Sequence, residues 1–337
     1  MKRVALVILN WNGKRFLERF LPEVVRYSSE LADIIIADNA STDDSVCFLE
    51  KIYPDIRIIK INKNRGFAGG YDYALSQVDN EYYMLLNSDI EVTQGWLKPL
   101  IELMDSDQRI AACQPKIRAY NDKKRFEYAG AAGGFIDRFG YPFCRGRIFY
   151  ELEEDKGQYD DIKEIFWATG AAMFIRKELF HKLGGFDDDF FAHMEEIDLC
   201  WRLKNAGYKI LYCPESTVFH IGGGTLPKNS SKKTYLNYRN NLVLLYKNLP
   251  KSRLIPVAII RVILDFAAML KFLFGNGFKD AFAVVKAHTY FIFRFNRIRN
   301  KRKKQIPVSF FSEIYKGSIV VDFFIKKIKR YSLLKFR

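Results

Sequence analysis

Cysteine is scarce in this sequence: five in 337 residues, at Cys47, Cys113, Cys144, Cys200 and Cys213, odd in number, scattered and without a Cys-x-x-Cys spacing. That excludes a disulfide framework or a zinc ribbon and suits a reducing cytosol. Long apolar runs are missing too. Met1-Lys2-Arg3 precedes only six apolar residues, Val4 to Leu9, too few for a secretory leader. The most apolar stretch, Leu254 to Phe274, is broken by Arg261, Asp265 and Lys271 and never reaches the roughly 18 uncharged residues of a membrane span. There is no internal repeat, no low-complexity segment and no Gly-x-Gly-x-x-Gly, so a nicotinamide site is not indicated. Acidic residues almost vanish near the end: residues 228–337 hold four Asp and Glu against 25 Lys and Arg, whereas residues 1–227 hold 35 against 29.

The chain exceeds the usual size of one core, and this charge seam divides it into a main domain, 1–227, and a helical basic region, 228–337. Net charges of −6 and +21 describe an acidic globular part and a part that meets a polyanion, either nucleic acid or anionic lipid. Arg261 and Asp265 are four apart and would pair on one helical face, leaving an apolar face for lipid or for the main domain. Beyond them Phe291, Phe293 and Phe295 interleave with Arg294, Arg297, Arg299, Lys301, Arg302, Lys303 and Lys304. Aromatics among cations can stack on bases. An anchor to an anionic membrane surface is the simpler reading, and a solvated helical face is the bland one. The expectation is a cytoplasmic protein attached peripherally to the inner face of the cell membrane, with nucleic acid disfavoured, from which a cut after Asn248 frees a soluble domain.

Within the first part, Val4 to Leu9, Asp33 to Ala37, Ile56 to Ile61 and Tyr82 to Leu86 read as buried parallel strands. Helical patterns lie between them at Lys14 to Tyr27, Ser45 to Tyr53 and Tyr71 to Val78. Strand and helix in alternation imply an α/β layer that binds its ligand at the carboxyl ends of the strands. Those ends carry Asn10-Trp11-Asn12-Gly13, Asp38-Asn39-Ala40-Ser41-Thr42-Asp43 and Asn87-Ser88-Asp89, which should line one crevice. Asp38 can accept from a nucleobase imide, or simply form an Asx turn and a helix cap with Ser41 and Asp43. The loop Asn64 to Gly70 leads into a helix whose start favours anions. Asp89 at a strand end suits Mg²⁺ or Mn²⁺ on a substrate phosphate, or else is a plain turn residue. Glu195, Glu196 and Asp198 open a helical pattern, where they complement its positive end or, crowded together, raise one another's pKa as a general base requires. His220 precedes Ile221-Gly222-Gly223-Gly224 and is either a metal ligand or a hydrogen-bonded histidine.

Taken in order, the segments VILNWNG, ADNASTDDS, NRGFAGG, LLNSD, GGFDDDFF, HMEEIDLCWR and FHIGGGT, between Val4 and Asn241, resemble glycosyltransferase family 2 enzymes of the rhamnosyltransferase-like and galactofuranosyltransferase-like kind. The resemblance implies the GT-A fold and an inverting, metal-dependent transfer of one sugar from a UDP- or dTDP-sugar to a hydroxyl of a glycan or lipid-linked acceptor in bacterial surface polysaccharide synthesis. It assigns Asn10 and Asp38 to the nucleobase, Asn64 and Gly66 to the nucleoside, and Asn87, Ser88 and Asp89 to a variant of the metal-binding Asp-x-Asp motif. His220 becomes a second metal ligand and Glu196 the base, with Glu195 in reserve. Trp167, Gly170, Asp187, Asp198 and Arg202 fall on the acceptor side. The Gln-x-x-Arg-Trp of processive synthases is missing after Arg202, so one sugar per encounter is expected. The competing readings are a nucleotidyltransferase, whose basic N-terminal loop is poorly matched by Lys14 and Arg15, and a non-catalytic membrane or nucleic-acid binding protein.

Overall fold

The computed structural model describes residues 1–222, 230–275, 277–302 and 311–336. It opens with alternating elements: β1 (Val4–Asn10), α1 (Lys14–Ser28), β2 (Ala32–Asp38), α2 (Ser45–Ile52), β3 (Arg57–Lys60), α3 (Gly66–Leu75), β4 (Tyr82–Asn87), β5 (Ile90–Val92), α4 (Leu97–Ser106) and β6 (Ile110–Ala119). Short strands β7 (Gly134–Asp137), β8 (Pro142–Cys144), β9 (Arg147–Ile148), β10 (Glu151–Leu152) and β11 (Lys163–Glu164) precede β12 (Ala172–Arg176), α5 (Lys177–Lys182), α6 (Glu195–Asn205) and β13 (Lys209–His220). The C-terminal part comprises α7 (Ser231–Asn248), α8 (Lys251–Phe274), α9 (Phe278–Phe293), α10 (Phe295–Arg302), β14 (Ile314–Tyr315) and α11 (Ile319–Phe324).

The main sheet runs β11-β13-β6-β12-β4-β1-β2-β3, with β5 added alongside β13. Its β4-β1-β2-β3 half is parallel, as the apolar runs imply, and β12 then runs antiparallel to both β4 and β6, so the sheet is mixed. Both faces are covered. Val4, Leu6, Ile8, Tyr82, Met84 and Leu86 enter one apolar cluster and Ala5, Val7, Tyr83 and Leu85 the other, which is why these strands are apolar without alternation. α1 adds Leu17, Phe20, Leu21 and Val24, at helical spacing and all buried, each worth about 1.5–3 kcal/mol over exposure. α3 starts at Gly66, five residues before the position its pattern suggests, because the glycines that lower helix propensity are the ones that let it approach β1. A second small sheet, β10-β9-β8-β7-β14, has strands too short to show a period in sequence.

The charge seam at 227/228 falls in residues 223–229, outside the described residues. Gly223, Gly224 and Thr225 of the last motif and Lys303 and Lys304 lie outside them as well. The seam does not separate two cores. Val243, Leu244, Val257, Ile298, Tyr315, Ile319 and Phe323 share a cluster with Ala5 and Val7, and β14 pairs with β7. A cut after Asn248 would strip several of these side chains from the core, so it would not free an intact domain. Part of the expected anionic-lipid patch is also engaged within the protein: Arg297 and Lys301 pair with Asp189, Arg302 donates to the Tyr246 carbonyl, and Phe291 and Phe295 pack on Tyr246.

No described helix is long and apolar enough to cross a membrane. α8 instead turns its two central charges inward. Arg261 lies over the Tyr141 ring at 3.9 Å and donates to Asp265 (3.0 Å), which also accepts from Tyr141 Oη (3.2 Å) and sits 3.1 Å from His288 on α9; Arg261 and Asp265 are both buried. Asp265→Ala would leave the Arg261 guanidinium buried without its counter-charge, a loss of about 3–5 kcal/mol. Urea unfolding should show that loss, and a change under about 1 kcal/mol would mean that the node does not hold α8 in place.

Candidate functional site

Strand register brings the predicted residues to one edge. Asn10 pairs with Asp38 across β1 and β2, and Leu9 with Asn87 across β1 and β4. Asn10 Nδ2 donates to Asp38 Oδ1 and to Ser41 Oγ, both at 3.1 Å, while Asp38 Oδ2 accepts from the Ser41 amide at 3.1 Å. The Asx turn is therefore real, and α2 is approached by Asp43, which accepts from the Ser45 amide. Asn10 Oδ1 is buried with no hydrogen-bond donor. It faces the bare Cα of Gly13, where a Cβ would lie 2.4 Å from it and 3.4 Å from Ser88 Oγ, so the ends of β1 and β4 meet here.

The second wall is the Asn64 loop. Asn64 Oδ1 accepts from the Gly66 amide (2.8 Å), and Asn39, which the sequence reading left without a role, ties this loop to β2: its Nδ2 donates to Gly66 O (2.9 Å) and its Oδ1 accepts from the Arg65 amide (3.0 Å). Gly66 has φ +73°, and a Cβ on it would stand 2.4 Å from the Phe191 carbonyl oxygen. That carbonyl accepts from the Phe67 and Ala68 amides at 2.7 and 3.3 Å. The expected anion site at the start of α3 is thus taken by the protein's own backbone.

At the floor, β5 runs antiparallel to β13, setting His220 opposite Ile90 and against Asp89. His220 Nε2 is 3.1 Å from Asp89 Oδ1 and 3.5 Å from Asn87 Nδ2, and Nδ1 is 3.0 Å from Glu127 Oε2. All but Asn87 are buried. Burial alone would favour neutral imidazole, but the two carboxylates outweigh it and push His220 up to about 10. Burial likewise works against Asp89 and Glu127, and the His220 charge holds both below their usual range. Glu127 was not picked out from sequence, because nothing in its spacing ties it to His220; it is fixed by the Ala129 amide at 2.5 Å. Among the described residues no cluster of three or more His, Cys, Asp or Glu side chains is arranged around a metal position.

Glu195 and Glu196 open α6, each with its Oε2 buried and unpartnered. Burial pushes both acids up, Glu195 further because the Glu196 charge adds to it. The buried Cys144 thiol, raised chiefly by desolvation, feels the charges of both Glu127 and Glu196.

The residues expected on the acceptor side do not join this group. Trp167 is buried over Gly134 and donates to Phe135 O (3.0 Å), and Gly170 makes room for Phe67. Asp198, fully buried, accepts from Arg202 (2.9 Å), Lys247 (2.9 Å) and Asn248 (2.8 Å), and Asp187 accepts from Lys247 (2.7 Å). Helical spacing from Asp198 to Arg202 supplies their mutual pairing, and Asp198, through Lys247 and Asn248, ties α6 to α7.

A mixed α/β sheet whose strand ends gather a hydrogen-bonded asparagine and aspartate, a carboxylate–imidazole pair and an acidic helix start defines a nucleotide-sugar transferase with a GT-A-like fold. The family profile of Glycosyl transferase family 2 matches residues 5–184, and the chain belongs to that family. It is a nucleotide-sugar glycosyltransferase. Relatives include the N-acetylglucosaminyl-diphospho-decaprenol L-rhamnosyltransferase of Mycobacterium tuberculosis, 24% identical over 64% of this chain and 75% of that protein, and the rhamnosyltransferase WbbL of Escherichia coli, 27% identical over 64% and 83%. Among solved structures, GalNAc-T7 with UDP, GalNAc and Mn²⁺ superimposes with a TM-score of 0.60 at 18% identity, over 74% of this chain and 49% of that one. Residues 1–349 of Staphylococcus aureus TarS with UDP-GlcNAc superimpose with a TM-score of 0.58 at 14% identity, over 89% and 84%.

The Gly66 contact makes a stability prediction. Gly66→Ala meets both positive φ and a backbone oxygen that cannot move aside, so it should cost at least about 1–3 kcal/mol in chemical denaturation. Gly95→Ala, with φ +74° and nothing within 4 Å, isolates the strain alone and should cost less. Equal losses would show that the close approach to Phe191 is unimportant.

Proposed function

We propose that the protein transfers one sugar, with inversion, from a UDP- or dTDP-sugar to a hydroxyl of a glycan or lipid-linked acceptor, with Mg²⁺ or Mn²⁺ held at Asp89 and His220. The observation that carries this reading is the buried Asp89–His220–Glu127 stack at the strand ends. The donor set fits a divalent cation: Asp89 Oδ1 and His220 Nε2 are 3.1 Å apart, a spacing suited to neighbouring ligands of one ion, and two buried carboxylates share a single imidazole. With only two protein donors, the remaining positions fall to diphosphate oxygens and water, as is usual for Mg²⁺. When bound, the ion supplies positive charge to the departing diphosphate.

The chain's own residues do the rest. Asn10 and Asp38 read the base edge, the Asn64 loop flanks the nucleoside, and Glu127, 3.0 Å from Nδ1, sets the orientation of the His220 ring. Glu196 removes the proton of the acceptor hydroxyl as that oxygen bonds to the anomeric carbon and the bond from that carbon to the diphosphate oxygen breaks. Single displacement from the opposite face gives inversion. The M. tuberculosis relative is named for an N-acetylglucosaminyl-diphospho-decaprenol acceptor, which favours a lipid-linked acceptor here as well.

The outward face of α8 supports a site of work at a membrane surface. Ile255, Ile259, Val262, Ile263 and Phe266 are each more than half exposed, and Phe278, Phe282 and Ile292 of α9 extend the patch. A helix that buries Arg261 and Asp265 and shows its apolar side to the outside has the polarity of an element that lies on lipid, and the +21 region supplies cations for anionic headgroups. The reading remains cytoplasmic and peripheral to the inner face of the membrane.

Two measurements test this. Over a panel of uridine and thymidine diphosphate sugars, Glu196→Gln should lower turnover by about two to four orders of magnitude with nucleotide affinity kept; near-normal turnover would hand the role to Glu195, tested by the same change there. The full chain should co-sediment with phosphatidylglycerol vesicles, and Ile259→Asp with Phe266→Asp should abolish most of that binding without altering the unfolding transition. Undiminished binding by the double variant would remove α8 from the interface.

A further inference from the structure

The segment that enters α6 is backbone in an unfavourable conformation. Phe191, His193 and Met194 have φ of +64°, +70° and +74°, in the region that side chains with a Cβ disfavour. Such a segment persists only where its surroundings over-determine it. Two consecutive residues of α7 do so. Arg239 donates to the carbonyls of Asp189 (2.9 Å) and Phe190 (2.6 Å). Asn240 Nδ2 lies within hydrogen-bonding distance of the carbonyls of Phe190 (2.9 Å), Ala192 (2.8 Å) and His193 (2.6 Å), and its Oδ1 accepts from Arg239 Nε (2.7 Å), which fixes the orientation of the amide. Both side chains are buried. The one carbonyl of the run that they leave, Phe191, accepts from the Phe67 and Ala68 amides at the start of α3. The strained segment is thus fastened on one side to the loop assigned to the donor nucleoside and on the other to α7, and it ends at Glu195 and Glu196.

We propose that Arg239 and Asn240 are positioning residues for the base: by gathering the carbonyls of residues 189, 190, 192 and 193 they hold the start of α6 in register with the donor loop, so that Glu196 stands at a fixed distance from the anomeric carbon. This rests on Glu196 being the base. Neither residue touches substrate in this account. A displacement of about 1 Å in such a constellation lowers turnover about 10²-fold.

The test is a double-mutant cycle between Asn240→Ala and Glu196→Gln, with turnover measured on whichever donor of the uridine and thymidine diphosphate sugar panel is processed fastest, and nucleotide affinity measured by calorimetry with UDP and dTDP. Asn240→Ala alone should lower kcat about 10²-fold with nucleotide affinity nearly unchanged, and should speed hydrogen exchange at the Phe67 and Ala68 amides. In the Glu196→Gln background it should have almost no further effect, because the group it positions is already gone. Arg239→Lys, which keeps a cation but loses the planar fork, should fall between wild type and Asn240→Ala, and it gives a second reading if the alanine variant folds poorly. Full multiplicative losses in the double variant, or a fall in kcat that only tracks the folded fraction, would overturn the positioning role. A Glu196→Gln enzyme of normal turnover would instead remove the base assignment, whatever Asn240→Ala does.

Discussion

The polar cluster at the strand ends depends on two buried carboxylates, Asp89 and Glu127, kept on either side of one imidazole. Burying like charges together is expensive unless a cation sits between them. The fold meets that demand through His220, delivered by the antiparallel register of β5 on β13, while Glu127 is pinned by the Ala129 amide. The rest of the site is arranged around this demand for positive charge. The ends of β1, β2 and β4 bring polar residues to the same edge, and α6 starts with two acids whose burial favours their protonated forms.

A second constraint is the use of charge inside the C-terminal helices. Arg261 and Asp265 in α8, Lys247 in α7 and Lys301 in α10 look in sequence like solvated or lipid-facing cations and interruptions of an apolar helix, yet each is paired within the protein. The basic region is therefore part of the body of the enzyme, and what it leaves exposed is the apolar outer side of α8 and α9 with its unburied lysines and arginines. That arrangement makes the segment at residues 187–194, which leads into α6, a neighbour of the same helices, through Arg239, Asn240, Lys247, Arg297 and Lys301.

The parallel strands were legible because apolar runs ended by Asn or Asp report directly on strands buried on both faces with polar ends. Asn10, Asp38, Asn87, Asp89 and His220 could be found for that reason, and they do converge. Gly66 was found too, but what demands glycine there is the Phe191 carbonyl and not room for a ligand. Glu127, Asn39, Arg239 and Asn240 were not legible, since their partners lie far along the chain and no local pattern encodes a hydrogen bond made across a fold. Asp198 and Arg202 were placed on the acceptor side by resemblance, whereas in the fold they pair at i to i+4 spacing, Asp198 tying α6 to α7 and Arg202 reaching the Leu183 and Gly185 carbonyls. The division at residue 227 failed as a core boundary because charge composition reports on surface, and these helices bury apolar residues in the common core.

The central proposal, that Asp89 and His220 hold a divalent ion with Glu127 behind the histidine, is tested most directly by Mn²⁺ binding followed by electron paramagnetic resonance in the presence of UDP or dTDP. The account predicts one nucleotide-dependent Mn²⁺ site per chain, with affinity reduced about 10–100-fold by Glu127→Gln and lost in Asp89→Ala and in His220→Ala. Mn²⁺ bound as tightly in all three variants as in the wild type would contradict it.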